Sequence, residues 1–384
     1  MAWTIGANSN SAPFGPAVGA NVLSILRAAL LVGVFASLGA ILQGSRISKT
    51  IGNGLIHDVA ITPLASACIL LTAATLITIG NLRGYPVPAA FTITGGVIGV
   101  GLALGGAPAY DKYREIAGFW LVIPVIAASV GYTTARILRN ERIPEKYGIG
   151  ILAGLVGAVV ANMKMSLIPS ETGNHGTIAR YVAEVSGVNA PNLMGYNAIS
   201  IVTTAFLATV SFLFIKNRVE RSMDKGVRLF LVVLGGLVVF SSGGSQVGLA
   251  TGPLESVFEN SIPLPPEMLI IAGGLMILVG AWTGSPRVVQ SVSREYSQLG
   301  NRRSISALVP AFLISQTAIT LGLPVSTNET IISSLIGSGL VAGSAGISGR
   351  KIGYTVVIWL ASLALAGGIG AVLYKLLSNI LGVT

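Results

Sequence analysis

Long apolar stretches recur along this 384-residue chain, and they limit its folds more than any motif does. They lie near residues 22–44, 60–82, 86–106, 117–137, 147–163, 196–216, 228–254, 268–284, 305–323, 328–348 and 352–381. A helix needs about 20 apolar residues to cross a bilayer, so the shorter stretches are expected to be tilted or re-entrant. Only 10% of the residues are charged, against roughly 25% in soluble domains, which is too few for a water-facing surface. In lipid every backbone polar group needs a partner within the chain, so the sequence predicts an all-α polytopic membrane protein. Its 49 glycines suit helices whose backbones pack closely. The first residues are polar and uncharged, so no cleavable signal peptide is expected. The long polar connection 164–195 reads as a surface loop.

The charges are clustered. Arg136, Arg139, Arg142 and Lys146 crowd one connection, and Lys216, Arg218, Arg221, Lys225 and Arg228 a second; Arg287, Arg294, Arg302 and Arg303 crowd a third. An excess of Lys and Arg marks cytoplasmic loops, which places all three inside. Stretch 255–267 carries Glu255, Glu259 and Glu267 without a basic residue and is placed outside, as are 45–58 and 107–116. Both termini are then outside. The formal charge of +10 thus reports topology. No basic face interleaved with aromatics exists, so nucleic acid is not an expected partner.

Internal repetition carries the most information. Residues 84–102, GYPVPAAFTITGGVIGVGL, match 322–340, GLPVSTNETIISSLIGSGL, at Gly84/Gly322, Pro86/Pro324, Val87/Val325, Thr92/Thr330, Gly99/Gly337 and Gly101/Gly339. Residues 6–16, GANSNSAPFGP, match 243–253, GGSQVGLATGP, at Gly6/Gly243, Gly15/Gly252 and Pro16/Pro253, and Trp120 matches Trp359. Three matches in one order at a nearly constant offset define two repeats, 1–140 and 226–384, joined by connecting helices in 141–225 within a single membrane transport domain. The loop assignments place equivalent segments on opposite sides, so the repeats are expected to be inverted. The polar stretch 240–253, FSSGGSQVGLATGP, is expected to break a membrane helix. Paired, interrupted segments in inverted halves point to a transporter site where broken helices and re-entrant hairpins meet centrally. The offset also maps the apolar segment 226–240 onto positions before Met1, so the first repeat is expected to lack a half-helix, with a longer reading frame upstream as the simplest explanation.

The two polar loops resemble those of the inorganic phosphate transporter (PiT) family, whose hallmark is a GANDVAN-type loop ending in Gly-Pro or Gly-Thr in each half. Here it stands as Gly6-Ala7-Asn8-Ser9-Asn10 with Gly15-Pro16, and as Gly243-Gly244-Ser245-Gln246 with Gly252-Pro253. The family's second signature, P-V-S-T-T-H, stands as Pro324-Val325-Ser326-Thr327-Asn328-Glu329 and, degraded, as Pro86-Val87-Pro88-Ala89-Ala90-Phe91. Residues 42–56 and 118–124 also follow the family pattern, and the likeness spans nearly everything except 164–195.

The resemblance implies a secondary-active oxyanion transporter in the cell membrane of a prokaryote, with the lipid bilayer as its surroundings and a homo-oligomer left open. The substrate-binding residues it implies are Asn8, Ser9, Asn10, Ser11, Ser245, Gln246, Ser326, Thr327, Asn328 and Glu329. In the family each hallmark loop carries an Asp that helps hold the coupling cation. Ser9 and Gln246 stand there instead, which leaves the coupling ion, Na⁺ or H⁺, open. Glu329 is the one carboxylate within a signature, and an acid inside a membrane defaults to function. Hydrogen phosphate keeps one O–H donor where sulfate has none, and a carboxylate accepts that donor but repels sulfate. Without the two loop aspartates the site chemistry leans toward sulfate, but the family's usual substrate makes phosphate the expected one, with a sulfate permease of the same family the alternative and an anion channel a weaker one.

An enzyme is not expected. Cys68 reads as a small core residue, while His57 and His175 lack partners at metal spacing. The chain has neither a nucleophile elbow nor a Walker loop.

Overall fold

The computed structural model of the chain describes every residue except 9, 11, 20, 83–86, 170–175, 189, 194, 262–264, 297–299, 342–348 and 383–384. Helices α1 (Ala2–Asn8) and α2 (Gly15–Gly19) flank a break that holds Asn10 and a short 3₁₀ turn, Ala12–Phe14. Helix α3 (Ile25–Gln43) starts where the Ser24 hydroxyl accepts from the Arg27 amide, and α4 (Ser45–Asn53) follows after Gly44. Helix α5 (Pro63–Leu82) opens on proline, which costs nothing at a helix start, and α6 (Ala89–Ala103) doubles back beside it. Helix α7 (Tyr110–Arg139) has Asp111 in its first turn and Arg136 and Arg139 in its last, so its end charges complement the helix dipole. Then come α8 (Glu145–Ala161), α9 (Ile178–Val185), α10 (Ala198–Arg221), α11 (Met223–Ser261), α12 (Pro266–Tyr296), α13 (Gly300–Leu321), α14 (Thr327–Leu340) and α15 (Gly349–Leu381).

Among the described residues eight helices are long and apolar enough to cross a membrane: α3, α5, α7, α10, α11, α12, α13 and α15. Helices α6 and α14, with 15 and 14 residues, fall short of a crossing. The strands at either end of the α5–α6 hairpin pair with each other, Ile56 with Pro108 and His57 with Ala107. That hairpin therefore leaves and returns at one end of the molecule, with residues 87–88 near its tip.

The helices repeat as the sequence does. Pro63 and Gly300, Ala89 and Thr327, and Tyr110 and Gly349 open equivalent helices 237, 238 and 239 residues apart. The halves pack crosswise, α6 mainly on α15 and α14 mainly on α7. A Cβ on Gly99 would strike the backbone at Gly367, and one on Gly337 would strike the backbone at Ala128. These are repeat mates contacting repeat mates. Gly6 against Ile277 and Gly243 against Ala36 make a second equivalent pair of crossings. Close backbone approach at small residues is how helices associate where water supplies no hydrophobic drive.

Three expectations need correction. Helix α11 runs unbroken through 240–253, with Pro253 inside it. Each interior glycine costs a helix up to about 1 kcal/mol, but Gly243, Gly248 and Gly252 lie against the backbone of α3 and α4, where a larger residue would not fit. The Ser241 and Thr251 hydroxyls donate back to the Leu237 and Val247 carbonyls, so the polar side chains do not require a loop. Secondly, Glu255 belongs to this same helix and is buried, so the acidic stretch 255–267 is not simply an exposed loop. Thirdly, 164–195 is partly folded. It contains α9, capped by Thr177, and a short strand, 192–193, that pairs antiparallel with 196–197 just beyond it.

The three basic connections meet at one end. Arg302 grips both oxygens of Glu145 at 2.9 and 2.6 Å, and Lys146 pairs with Glu220 at 2.6 Å. Arg294 has a side chain outside the described residues.

Candidate functional site

The site lies where the α1–α2 break, the middle of α11 and the start of α14 converge. The chain reaches α14 by turning at Gly322, whose φ of +70° is the left-handed conformation that ends α13 and that a side chain would strain. Ser326 then caps α14 by accepting from the Glu329 amide at 3.4 Å. Trp120 of the first repeat braces this corner by donating its indole N–H to the Pro324 carbonyl at 2.8 Å.

A relay of hydrogen bonds ties the three segments together. The Thr327 hydroxyl donates to the Ser242 hydroxyl at 2.9 Å, and Ser242 donates to Asn10 Oδ1 at 2.6 Å. One turn along α11, Gln246 Nε2 donates to the Val325 carbonyl at 3.0 Å. All of these side chains are buried. Behind them the Gln316 amide donates to Ser241 at 2.6 Å and to Gln43 Oε1 at 3.0 Å. Gln43 in turn donates to the Lys164 carbonyl at 3.0 Å. The Lys164 ammonium, beyond the end of α8, is held below the ordinary lysine range by burial and by the nearby Arg46 and Arg180 charges.

Among the described residues, four buried atoms in these segments have no hydrogen-bond partner: Asn10 Nδ2, Gln246 Oε1, Asn328 Oδ1 and Glu329 Oε2. Leaving a buried polar group unmade costs about 1–3 kcal/mol, more for a charged one. One donor and three acceptors, drawn from both repeats, are thus left unpaired among the described residues.

Of the sequence-predicted residues, Asn10, Gln246 and Thr327 take part in these hydrogen bonds, and Asn328 and Glu329 follow Thr327 in the first turn of α14. Asn8 is buried at the end of α1. Ser9 and Ser11 lie outside the described residues. Ser245 uses its hydroxyl on its own helix, donating to the Ser242 carbonyl at 3.1 Å, while Ser326 serves as the helix cap. The first-repeat counterpart of the α14 corner is apolar: Pro88 offers no side-chain cap, and Phe91 stacks on Trp120 with ring centroids 3.8 Å apart.

Sequence reasoning missed Ser242, Ser241, Gln43 and Gln316. Ser242 stood inside the quoted stretch 240–253 and was recognisable as a polar residue in an apolar run. Gln43 and Gln316 gave the same weak signal, an uncharged amide within a crossing segment, and nothing in their spacing links them.

The comparisons with known proteins agree over the whole length. The chain is 26% identical to a protein named as a phosphate permease in Pyrococcus furiosus, covering 100% of this chain and 95% of that protein. It is also 26% identical to one so named in Chlamydia muridarum, covering 98% and 95%. It is 24% identical to the chloroplastic inorganic phosphate transporter 2-1 of Arabidopsis thaliana, covering 99% of this chain and 72% of that one. A solved structure titled a sodium-dependent phosphate transporter shares the fold, with a TM-score of 0.81, 21% identity and coverage of 99% and 96%. The model of the phosphate transporter family matches residues 5–370, and the chain belongs to that family.

Proposed function

We propose that this protein carries inorganic phosphate across the cell membrane of a prokaryote by alternating access, with two inverted repeats rocking about the cluster of Asn10, Ser242, Gln246, Thr327, Asn328 and Glu329. The observation that carries the reading is the set of unpartnered buried atoms. Hydrogen phosphate brings both kinds of partner: oxygens for the Asn10 Nδ2 donor and one O–H for an acceptor. Sulfate brings no O–H and would leave one acceptor more unmet than hydrogen phosphate does, and an unmet buried group is the costlier side of a hydrogen bond. The short helices α6 and α14 serve as the re-entrant arms, and their tips deliver the signatures to membrane depth. The basic end, with Arg139, Lys146 and Arg302, faces the cytoplasm, and both termini lie on the other side.

A coupling cation fits the same surplus of acceptors. Na⁺ binds carbonyl, hydroxyl and carboxylate oxygens, and the two acceptors that a single phosphate O–H leaves unmet would supply them. Sodium dependence is the property named for the structural neighbour, and Na⁺ is the coupling ion proposed here, with H⁺ on Glu329 the competing outcome of the test.

The test is uptake of labelled phosphate and of sulfate into proteoliposomes, with Na⁺ and pH gradients imposed separately. Phosphate uptake driven by inward Na⁺ and stimulated by trans phosphate is expected. Preference for sulfate would overturn the substrate assignment, and absence of trans-stimulation would indicate a channel.

A further inference from the structure

At the basic end, away from the Asn10–Ser242–Thr327 cluster, the end of α7 and the starts of α8, α11 and α13 line an open cavity of about 650 Å³. Its charged lining is Arg139, Glu145, Asp224, Arg302 and Arg303. Both carboxylates are already engaged. Arg302 holds the two oxygens of Glu145, and Asp224 pairs with Arg228 at 2.9 Å. Among the described residues Arg139 and Arg303 have no such partner. Arg303 Nε is buried with nothing to donate to, although a guanidinium has five N–H groups to satisfy. The cavity also receives Gly300, Asn301 and Arg302 at the start of the 22-residue α13, where free amides and the helix dipole favour an anion.

We infer that this cavity is a second anion site, separate from the transport site, and that it takes a phosphate-type oxyanion as a regulatory ligand. Arginine matches such an anion through its planar fork of donors, and the volume lies in the ordinary range for small-ligand pockets. The chemistry has two sources: the headgroup of an anionic lipid, as in basic pockets between membrane helices, or a soluble phosphate monoester. Because the cavity lies between elements of both repeats and the connecting segment, an occupant would bridge parts that alternating access requires to separate. Its predicted effect is to stabilise the protein and slow turnover.

The experiment uses the full chain in detergent, titrated with short-chain phosphatidylglycerol, with short-chain phosphatidylcholine and with glycerol phosphate, and reads the thermal unfolding midpoint. The variants are Arg139→Gln, Arg303→Gln and, as a control outside the cavity, Arg136→Gln. The expected result is a midpoint raised by phosphatidylglycerol or by glycerol phosphate but not by phosphatidylcholine. The concentration needed should rise at least about tenfold in each cavity variant, the factor equal to 1.4 kcal/mol, and stay unchanged in Arg136→Gln. A response to the lipid alone assigns a headgroup, and a response to glycerol phosphate assigns a soluble ligand. No response, or one equal in all variants, overturns the inference. Because the readout is unfolding, failure of phosphate uptake would leave it standing. If Arg303→Gln does not fold, the exposed Arg139→Gln carries the test alone.

Discussion

Ser242→Ala separates the transport relay from the surrounding packing. Ser242 Oγ accepts from Thr327 at 2.9 Å and donates to Asn10 Oδ1 at 2.6 Å. It is fully buried on α11, so no water stands by to replace it. Two hydrogen bonds at about 1 kcal/mol each are lost, and part of the desolvation cost of two stranded partners is added. The total is about 2–4 kcal/mol, shared between stability and substrate binding. Thr327 and Asn10 belong to different repeats, so much of it should appear as misplacement of the site. A loss of about 2 kcal/mol in binding is roughly a 30-fold weaker apparent phosphate affinity. The measurement is initial phosphate uptake into proteoliposomes against concentration, with the unfolding midpoint measured in parallel. Ser241→Ala is the internal comparison. Ser241 sits one residue along, but its partners are Gln316 and the Leu237 carbonyl, so it should lower stability with a smaller change in affinity. Wild-type affinity in Ser242→Ala, or equal affinity losses in both variants, would refute the reasoning.

Other outcomes follow from the same geometry. Thr327→Ala should weaken phosphate binding about tenfold in the same uptake assay, because the Ser242 hydroxyl loses its donor. Glu329→Gln should change the phosphate-to-sulfate ratio or the pH dependence of uptake, and a variant equal to wild type on both would return Glu329 to a packing role. Gly337→Val should cost at least about 1–3 kcal/mol in unfolding measurements, since its Cβ would strike the Ala128 carbonyl, whereas Gly118→Val meets open space and should not be destabilised by overpacking. Lys164→Gln should raise stability in unfolding measurements near neutral pH. The folded state holds the Lys164 pKa below its ordinary value, so folding penalises the charged form at neutral pH, and the penalty fades as pH rises from that lowered pKa toward the usual one.

The sequence made the repeat legible because its glycines are contact points. Gly99, Gly337, Gly6 and Gly243 recur at a fixed offset since each lets one backbone press on another at an equivalent crossing. The basic end was readable from the arginine clusters alone, and Glu145 and Glu220 draw those clusters together. The continuity of α11 was not readable. The same Gly and Ser residues that break an isolated helix in water are tolerated where α3 and α4 lie close against them, and that contact is tertiary. Nor could the sequence reveal that Ser245 is turned to its own helix while Ser242 faces Asn10 and Thr327. At 3.6 residues per turn the two lie on neighbouring faces, and only the packing of α11 decides which one reaches the site.

The replacement of the family's aspartates alters the physics of the site. A dianion entering between two carboxylates requires cations to offset their charge, so coupling is enforced by repulsion. In the proposed site, with Ser9 and Gln246 at the hallmark positions of the sequence, phosphate would meet neutral amides and hydroxyls, and Glu329 on α14 is the carboxylate within a signature. Neutral groups hold hydrogen phosphate through a hydrogen-bond pattern that depends little on salt, since screening acts on charges exposed to solvent and not on buried neutral pairs. Selectivity then rests on matching donors to acceptors, which makes the orientation of Gln246 decisive. Its Nε2 is committed to the Val325 carbonyl at 3.0 Å, which leaves its Oε1 buried without a partner among the described residues. Gln246→Glu would restore a carboxylate at that place while removing the Val325 contact. Uptake by that variant should become more steeply dependent on Na⁺, because a second negative charge beside a dianion needs a cation to offset it. Unchanged Na⁺ dependence in Gln246→Glu would mean that the coupling ion binds away from this residue and that the substitution in the hallmark loop is electrostatically silent.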